Sequence, residues 1–157
     1  MALRTVAGVR TGEDSQDLCD WLKSLDDCPR VTRTLTAHCA GPAHDGEALT
    51  WFYVEADARH GIARRRCLAC GSVVALLDSA ARWEHTPMWS CRSCAQSIAE
   101  MAVGVHVRSD GDLDDGSADE RATWLAVGVR CVQCGRLDGV TDLFVPGLSL
   151  AEIAAAV

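Results

Sequence analysis

The chain has 157 residues, 48% hydrophobic and 24% charged, with a net charge of −7. That length suits one ordinary domain or two small modules and excludes several large cores. The acidic balance argues against nonspecific nucleic-acid binding, whose affinity rests on basic side chains displacing counterions.

The first sixteen residues, MALRTVAGVRTGEDSQ, are charged early and hold no long apolar core, so no signal peptide is expected. No apolar run approaches the length of a bilayer span, and no membrane association is expected. The expected location is cytoplasmic, where thiols stay reduced. Nine cysteines in that setting point to metal ligation or redox chemistry rather than a disulfide framework.

Residues 14–25 carry Leu18, Trp21, Leu22 and Leu25 at helical spacing, with Asp14 or Ser15 as the cap and Pro29 beyond the end. This predicts an amphipathic helix. Two β-rich runs follow, VTRTLTAHC and ALTWFYVEA, on either side of a turn-rich loop, so an antiparallel hairpin is expected. Its loop carries His38, Cys39 and His44. The run SVVALLD reads as a strand, whereas AQSIAEMAV after Cys94 reads as well as helix as strand. Residues 108–120 contain six acids and few apolar side chains, the composition of a solvated loop or linker. ATWLAVGVRC is strand-like. Ser149 with Glu152 three residues later forms a capping-box signature, predicting a short C-terminal helix.

Three Cys-x-x-Cys pairs lie between residues 67 and 134: Cys67/Cys70, Cys91/Cys94 and Cys131/Cys134. A tight turn lets both thiolates of such a pair converge on one ion, and Gly71 and Gly135 stand where that turn needs positive φ. A tetrahedral zinc takes four ligands, so two pairs make one site. Cys70 and Cys91 are separated by 20 residues, close to structural-zinc spacing. Two copies of Arg-Cys-x-x-Cys-Gly, at 66–71 and 130–135, suggest one local structure used twice.

From Arg66 to Cys94 the chain resembles the zinc ribbons, in which two knuckles at the ends of β-hairpins share one zinc. Cys131 to Gly135 looks like a further knuckle. The pattern departs from the family at Ala95, where a Gly is usual, and a treble-clef-like arrangement stays open. The expected fold is small, α+β and β-rich, with the zinc-ribbon-type hairpins that the resemblance implies and a short helix near each terminus from the apolar spacing and the capping box. The expected organisation is a helix and hairpin over 1–57, a ribbon-like module over 58–106, and an acidic linker over 107–120. A third knuckle with strands and helix over 121–157 is expected to pack with 1–57.

The third pair has three readings. It can join Cys39 and His44 in a second zinc site, with three thiolates and one imidazole. It can re-pair with Cys67 and Cys70, leaving Cys91 and Cys94 for the loop. It can also stay a free dithiol with redox chemistry. Zinc, one or two ions, is favoured over an iron–sulfur cluster because no run of three cysteines at Cys-x-x-Cys spacing is present.

No deaminase, metalloprotease, nucleophile-elbow or phosphate-loop motif occurs, which argues against an enzyme. The favoured function is a zinc-binding adaptor acting on a protein partner, by analogy with zinc ribbons in transcription and translation. One alternative is nucleic-acid binding through a strand edge bearing Arg64 and Arg66. Another is a thiol-redox or zinc-release switch. Trp83, Met88 and Trp89 read either as cover for a small core or as an interface.

Overall fold

The computed structural model describes residues 3–26, 29–108 and 121–157. In chain order the elements begin with a short hairpin of β1 (Arg4–Val6) and β2 (Val9–Thr11), then helix α1 (Ser15–Ser24) and β3 (Arg33–Thr36). Next come β4 (Phe52–Asp57), β5 (Ile62–Cys67) and β6 (Val73–Ala75). The long strands β7 (Ile98–Arg108), β8 (Arg121–Cys131) and β9 (Leu137–Ser149) lead into helix α2 (Leu150–Ala155). The fold is small and β-rich with a helix near each end, as the composition and capping signals implied. Residues 109–120 of the acidic segment and Cys28 lie outside the described residues, whereas Val107 and Arg108 belong to β7 rather than to a linker.

One antiparallel sheet runs in the order β6-β5-β4-β7-β8-β9, with β3 also paired to β7. Side-chain alternation divides β7 and β8 between two faces. Met101, Val103 and Val105 with Leu125, Val127 and Val129 enter the larger core, alongside Phe52, Val54 and Ile153. Ala102, Trp124 and Ala126 face α1 on the other side. Each fully buried Leu, Val or Phe contributes about 1.5–3 kcal/mol relative to exposure.

Helix α1 forms where the periodicity places it, and Asp14 caps it by accepting from the Asp17 amide at 3.0 Å. Its Leu18 and Leu22 are fully buried. The close approach needs glycine beneath it. A Cβ on Gly128 would lie 3.0 Å from Leu22 Cδ2, and one on Gly104 would lie 2.8 Å from Val31 Cγ2. At the other end, Ser149 and Glu152 form the reciprocal capping box of α2.

One local expectation is corrected, and one open reading resolves. The runs on either side of the 37–51 loop do not pair with each other as strands. β3 pairs with Val105 to Ala102 of β7, and β4 pairs with Ala99 and Ile98 of the same strand. The two therefore lie end to end along one edge of β7, with the loop projecting between them, joined only by the Cys39↔Leu49 bridge. Propensity identifies strands but not their partners, and the long apolar β7 offers more ladder than a short hairpin. The AQSIAEMAV run resolves as strand, because Ile98–Arg108 is taken into the sheet on both sides.

The strand carrying Arg64 and Arg66 is likewise no edge: β5 pairs with β4 and with β6. Arg64 is ion-paired to Glu55 and lies over the Trp83 ring, 4.0 Å from its centroid. Trp89 packs against the larger core, whereas Met88 is exposed.

Candidate metal centres

The three Cys-x-x-Cys turns share one backbone geometry. In each, the residue after the second cysteine has positive φ and donates to the carbonyl of the first. These are Gly71 (φ 71), Ala95 (φ 62) and Gly135 (φ 75), with N–H···O distances of 2.9, 2.8 and 2.9 Å. The first cysteine's own amide then donates one residue further on, to Ser72, Gln96 and Arg136. This is the tight turn that aims backbone amides at sulfur, as the Ser93 amide does toward Cys91 Sγ at 3.4 Å.

Strand register decides which turns meet. The Cys91/Cys94 turn leads into β7 and the Cys131/Cys134 turn closes β8, and Ala99 lies opposite Cys131. The two turns therefore occupy the same end of one antiparallel pair. Cys91 Sγ lies 3.5 Å from Cys134 Sγ, and Cys94 Sγ lies 3.5 Å from Cys131 Sγ. The Cys67/Cys70 turn ends β5, where Cys67 is opposite Phe52 and Phe52 is opposite Ala99. That places it beside the 37–51 loop. His44 Nε2 is 3.3 Å from Cys39 Sγ and 3.5 Å from Cys67 Sγ, and Cys39 Sγ is 3.7 Å from Cys70 Sγ.

Within each set of four, all candidate ligand atoms lie within 4.8 Å of one another. Metal–ligand bonds of about 2.3 Å to sulfur and 2.0–2.1 Å to nitrogen imply tetrahedral edges of about 3.8 Å (S···S) and 3.6 Å (S···N). The observed separations fit those edges. They are far beyond the roughly 2.05 Å of a disulfide, and these cysteines are free. Both sets are positioned to hold a metal ion and are compatible with zinc.

All eight residues named from spacing fall in these two clusters, but the pairing differs from each arrangement drawn from the sequence. Cys67 and Cys70 join Cys39 and His44; Cys91 and Cys94 join Cys131 and Cys134. Proximity along the chain favours Cys67/Cys70 with Cys91/Cys94. In the fold these two turns lie at ends of different strands, and the β7–β8 register brings the distant third pair to the second. His38 is outside the cluster, exposed, with Nδ1 3.4 Å from the Thr36 carbonyl.

The sulfurs differ in acidity. Burial pushes Cys67 up, but the Cys70 and Ala69 amides and the neighbouring thiols bring it down to about 7. Burial is likewise outweighed at Cys91 by the Cys94 and Ser93 amides and adjacent thiols, again giving about 7. Burial and the surrounding thiols drive Cys134 up to about 12, against the Arg136 amide. Burial and Cys94 raise Cys131. At Cys70 the Ser72 amide favours thiolate, but desolvation and the neighbours Cys39 and Cys67 leave it raised. Cys67 and Cys91 are thus eased toward thiolate, while Cys70, Cys131 and Cys134 beside them are held toward the thiol.

Sequence reasoning missed Arg65. It is buried at 5% exposure, with Nε donating to the Val157 main-chain oxygen at 2.6 Å and Nη2 to the His38 carbonyl at 3.0 Å. The available signal was its place between Arg64 and Arg66, which turns it toward the core. The N-terminal segment was also missed. Gly12 donates to the Gly135 carbonyl at 2.9 Å, and Thr11 bridges Arg136, so this segment buttresses the third turn.

The turns make two predictions. Ala95 adopts a left-handed conformation that costs a non-glycine residue about 1–2 kcal/mol, so Ala95→Gly is expected to stabilise the protein by about 0.5–1 kcal/mol. Gly135→Ala adds a Cβ 2.5 Å from the Gly12 carbonyl oxygen, whereas Gly71→Ala meets nothing within 4 Å. Gly135→Ala is therefore expected to cost at least about 1 kcal/mol more than Gly71→Ala. Denaturant unfolding of the metal-loaded variants measures all three, and equal losses at Gly71 and Gly135 would refute the docking role of Gly12.

Comparison with protein-family models, curated proteins and solved structures finds no significant match. Among the described residues no helix is long and apolar enough to cross a membrane.

Proposed function

We propose that this is a two-zinc protein in which both ions are structural, and that it works as a non-enzymatic adaptor presenting a zinc-braced sheet to a protein partner. The observation that carries this reading is the closure of both sets: four donor atoms lie within 4.8 Å of one another, with close pairs near tetrahedral edge length, and four donors fill the coordination of zinc. A catalytic zinc keeps a position open for water or substrate. On this reading the Cys91–Cys94–Cys131–Cys134 set is a zinc ribbon, with two knuckles at one end of an antiparallel strand pair. The Cys39–His44–Cys67–Cys70 set pins the 37–51 loop to β5. Cytoplasmic reducing conditions keep the thiols available.

The adaptor role is supported by exposed apolar side chains around the first turn. Trp51 and Leu68 line a shallow groove with Ala48, Leu49 and Ala69. Nucleic-acid binding is weakened as an alternative, since Arg64 is committed to Glu55 and Trp83 and Arg65 is buried.

The test is cobalt substitution. Two equivalents are expected to bind with the intense absorption of tetrahedral thiolate sites, and added azide is expected to leave the spectrum unchanged. A spectral response to azide would reveal an open coordination position and sink the structural reading.

A further inference from the structure

We infer that Arg65 is the positioning and charge-balancing residue of the Cys39–His44–Cys67–Cys70 centre. The inference rests on the reading of that cluster as a metal site and assigns a residue that none of the ligand spacing identifies.

A dication held by three thiolates and a neutral imidazole leaves one uncompensated negative charge. In a buried site that charge is costly unless a cation faces it. Arg65 is that cation. It stands two residues before Cys67 on β5, buried, and its Nη2 donates to the carbonyl of His38, the residue next to Cys39. No aspartate or glutamate side chain pairs with it among the described residues, and the oxygen that its Nε meets belongs to Val157, the last residue of the sequence. Its Nη1 is buried without a hydrogen-bond partner. On this inference a thiolate of the metal-loaded cluster is the missing acceptor.

The remaining contacts fix where the guanidinium sits. Nε and Nη2 hold main-chain oxygens of Val157 and His38, and the group lies 4.6 Å from the centroid of Phe52. His38 directly precedes Cys39, so one side chain orients both the ligand and its loop.

The second centre offers an internal contrast. Four thiolates around a dication leave two uncompensated charges. Its basic neighbours are its own: Arg130, paired with buried Glu100 at 2.7 Å, and Arg136, which donates to Ser93 Oγ at 2.9 Å and also keeps a buried Nε without a partner. The effect of Arg65 is therefore confined to the first centre.

Arg65→Met is expected to weaken cobalt binding at the first centre by about 10–100-fold, the usual cost of removing an outer partner of a metal ligand. The second centre is expected to be unchanged. At saturating cobalt, the sulfur-to-cobalt charge-transfer band of the first centre is expected to move to lower energy, because the thiolate has lost an N–H donor. Arg65→Lys keeps the charge without the planar fork and is expected to recover part of the affinity.

Cobalt titration against a competing chelator reads all three. Wild-type affinity and an unshifted band in Arg65→Met overturn the assignment, as does equal weakening at both centres. If Arg65→Met does not fold, the Lys variant decides by the same two readouts. Failure of the wild-type protein to take up metal would instead reject the underlying metal reading.

Discussion

Prolonged chelation under reducing conditions is expected to release two equivalents of zinc and unfold the protein. Apparent binding free energies for structural zinc are about 10–16 kcal/mol near neutral pH, against about 5–15 kcal/mol of net stability for a whole domain. The parts at risk are visible in the fold. Between Ala37 and Trp51, which bond Met101 and Leu68 at the loop's ends, the backbone bonds of the 37–51 loop run within the loop itself. The Cys91/Cys94 turn is joined to the Cys131/Cys134 turn through sulfur, and the N-terminal segment leans on the latter.

Acid is expected to act in the same direction as the chelator. Metal requires the deprotonated sulfurs, and Cys67 and Cys91 lie at about 7 before metal binds. Stability conferred by metal therefore rises with pH as protons cease to compete for sulfur. It is lost as pH falls and protons compete for sulfur. Circular dichroism followed alongside zinc release measures both. A chain that keeps its cooperative fold after complete metal removal would refute the structural role of the ions.

Paired substitutions are expected to reveal the ligand sets directly. Cys67→Ala is expected to remove one zinc, and adding Cys39→Ala is expected to remove no more, since both serve the same centre. Cys67→Ala with Cys91→Ala is expected to remove both. If consecutive turns shared a zinc, that second pair would still hold one ion. Native mass spectrometry counts the ions in each variant. His44→Cys serves as the conservative check, because an all-thiolate set at this position can still close a tetrahedron. It is expected to keep two zincs and, with cobalt, to gain thiolate charge-transfer intensity.

The site was legible as a set of residues and not as a set of bonds. Cys-x-x-Cys spacing is a local property: it specifies a turn that points two sulfurs the same way, and all three turns form as their sequences require. Even the departure at Ala95 keeps the left-handed turn. Cys39 and His44 were legible from their short separation within one loop, and Pro42–His44 forms the single helical turn that brings the imidazole back toward Cys39. Arg65 was not legible as a functional residue. A charged side chain in a basic run looks solvated until the strand's neighbours on both sides are known.

The amino-acid sequence by itself determined the two helices, the three turns and the eight candidate ligands, because each depends on residues within a few positions of one another. Periodicity placed α1, and a reciprocal cap placed α2. Tertiary structure alone decided the partners. β3 and β4 gave up pairing with each other for consecutive places on β7, and the β7–β8 register carried Cys131 and Cys134 to Cys91 and Cys94. The physical reason is that β pairing and metal closure reward contacts far apart in the chain, where many pairings satisfy the same local rules and only the packed sheet selects among them.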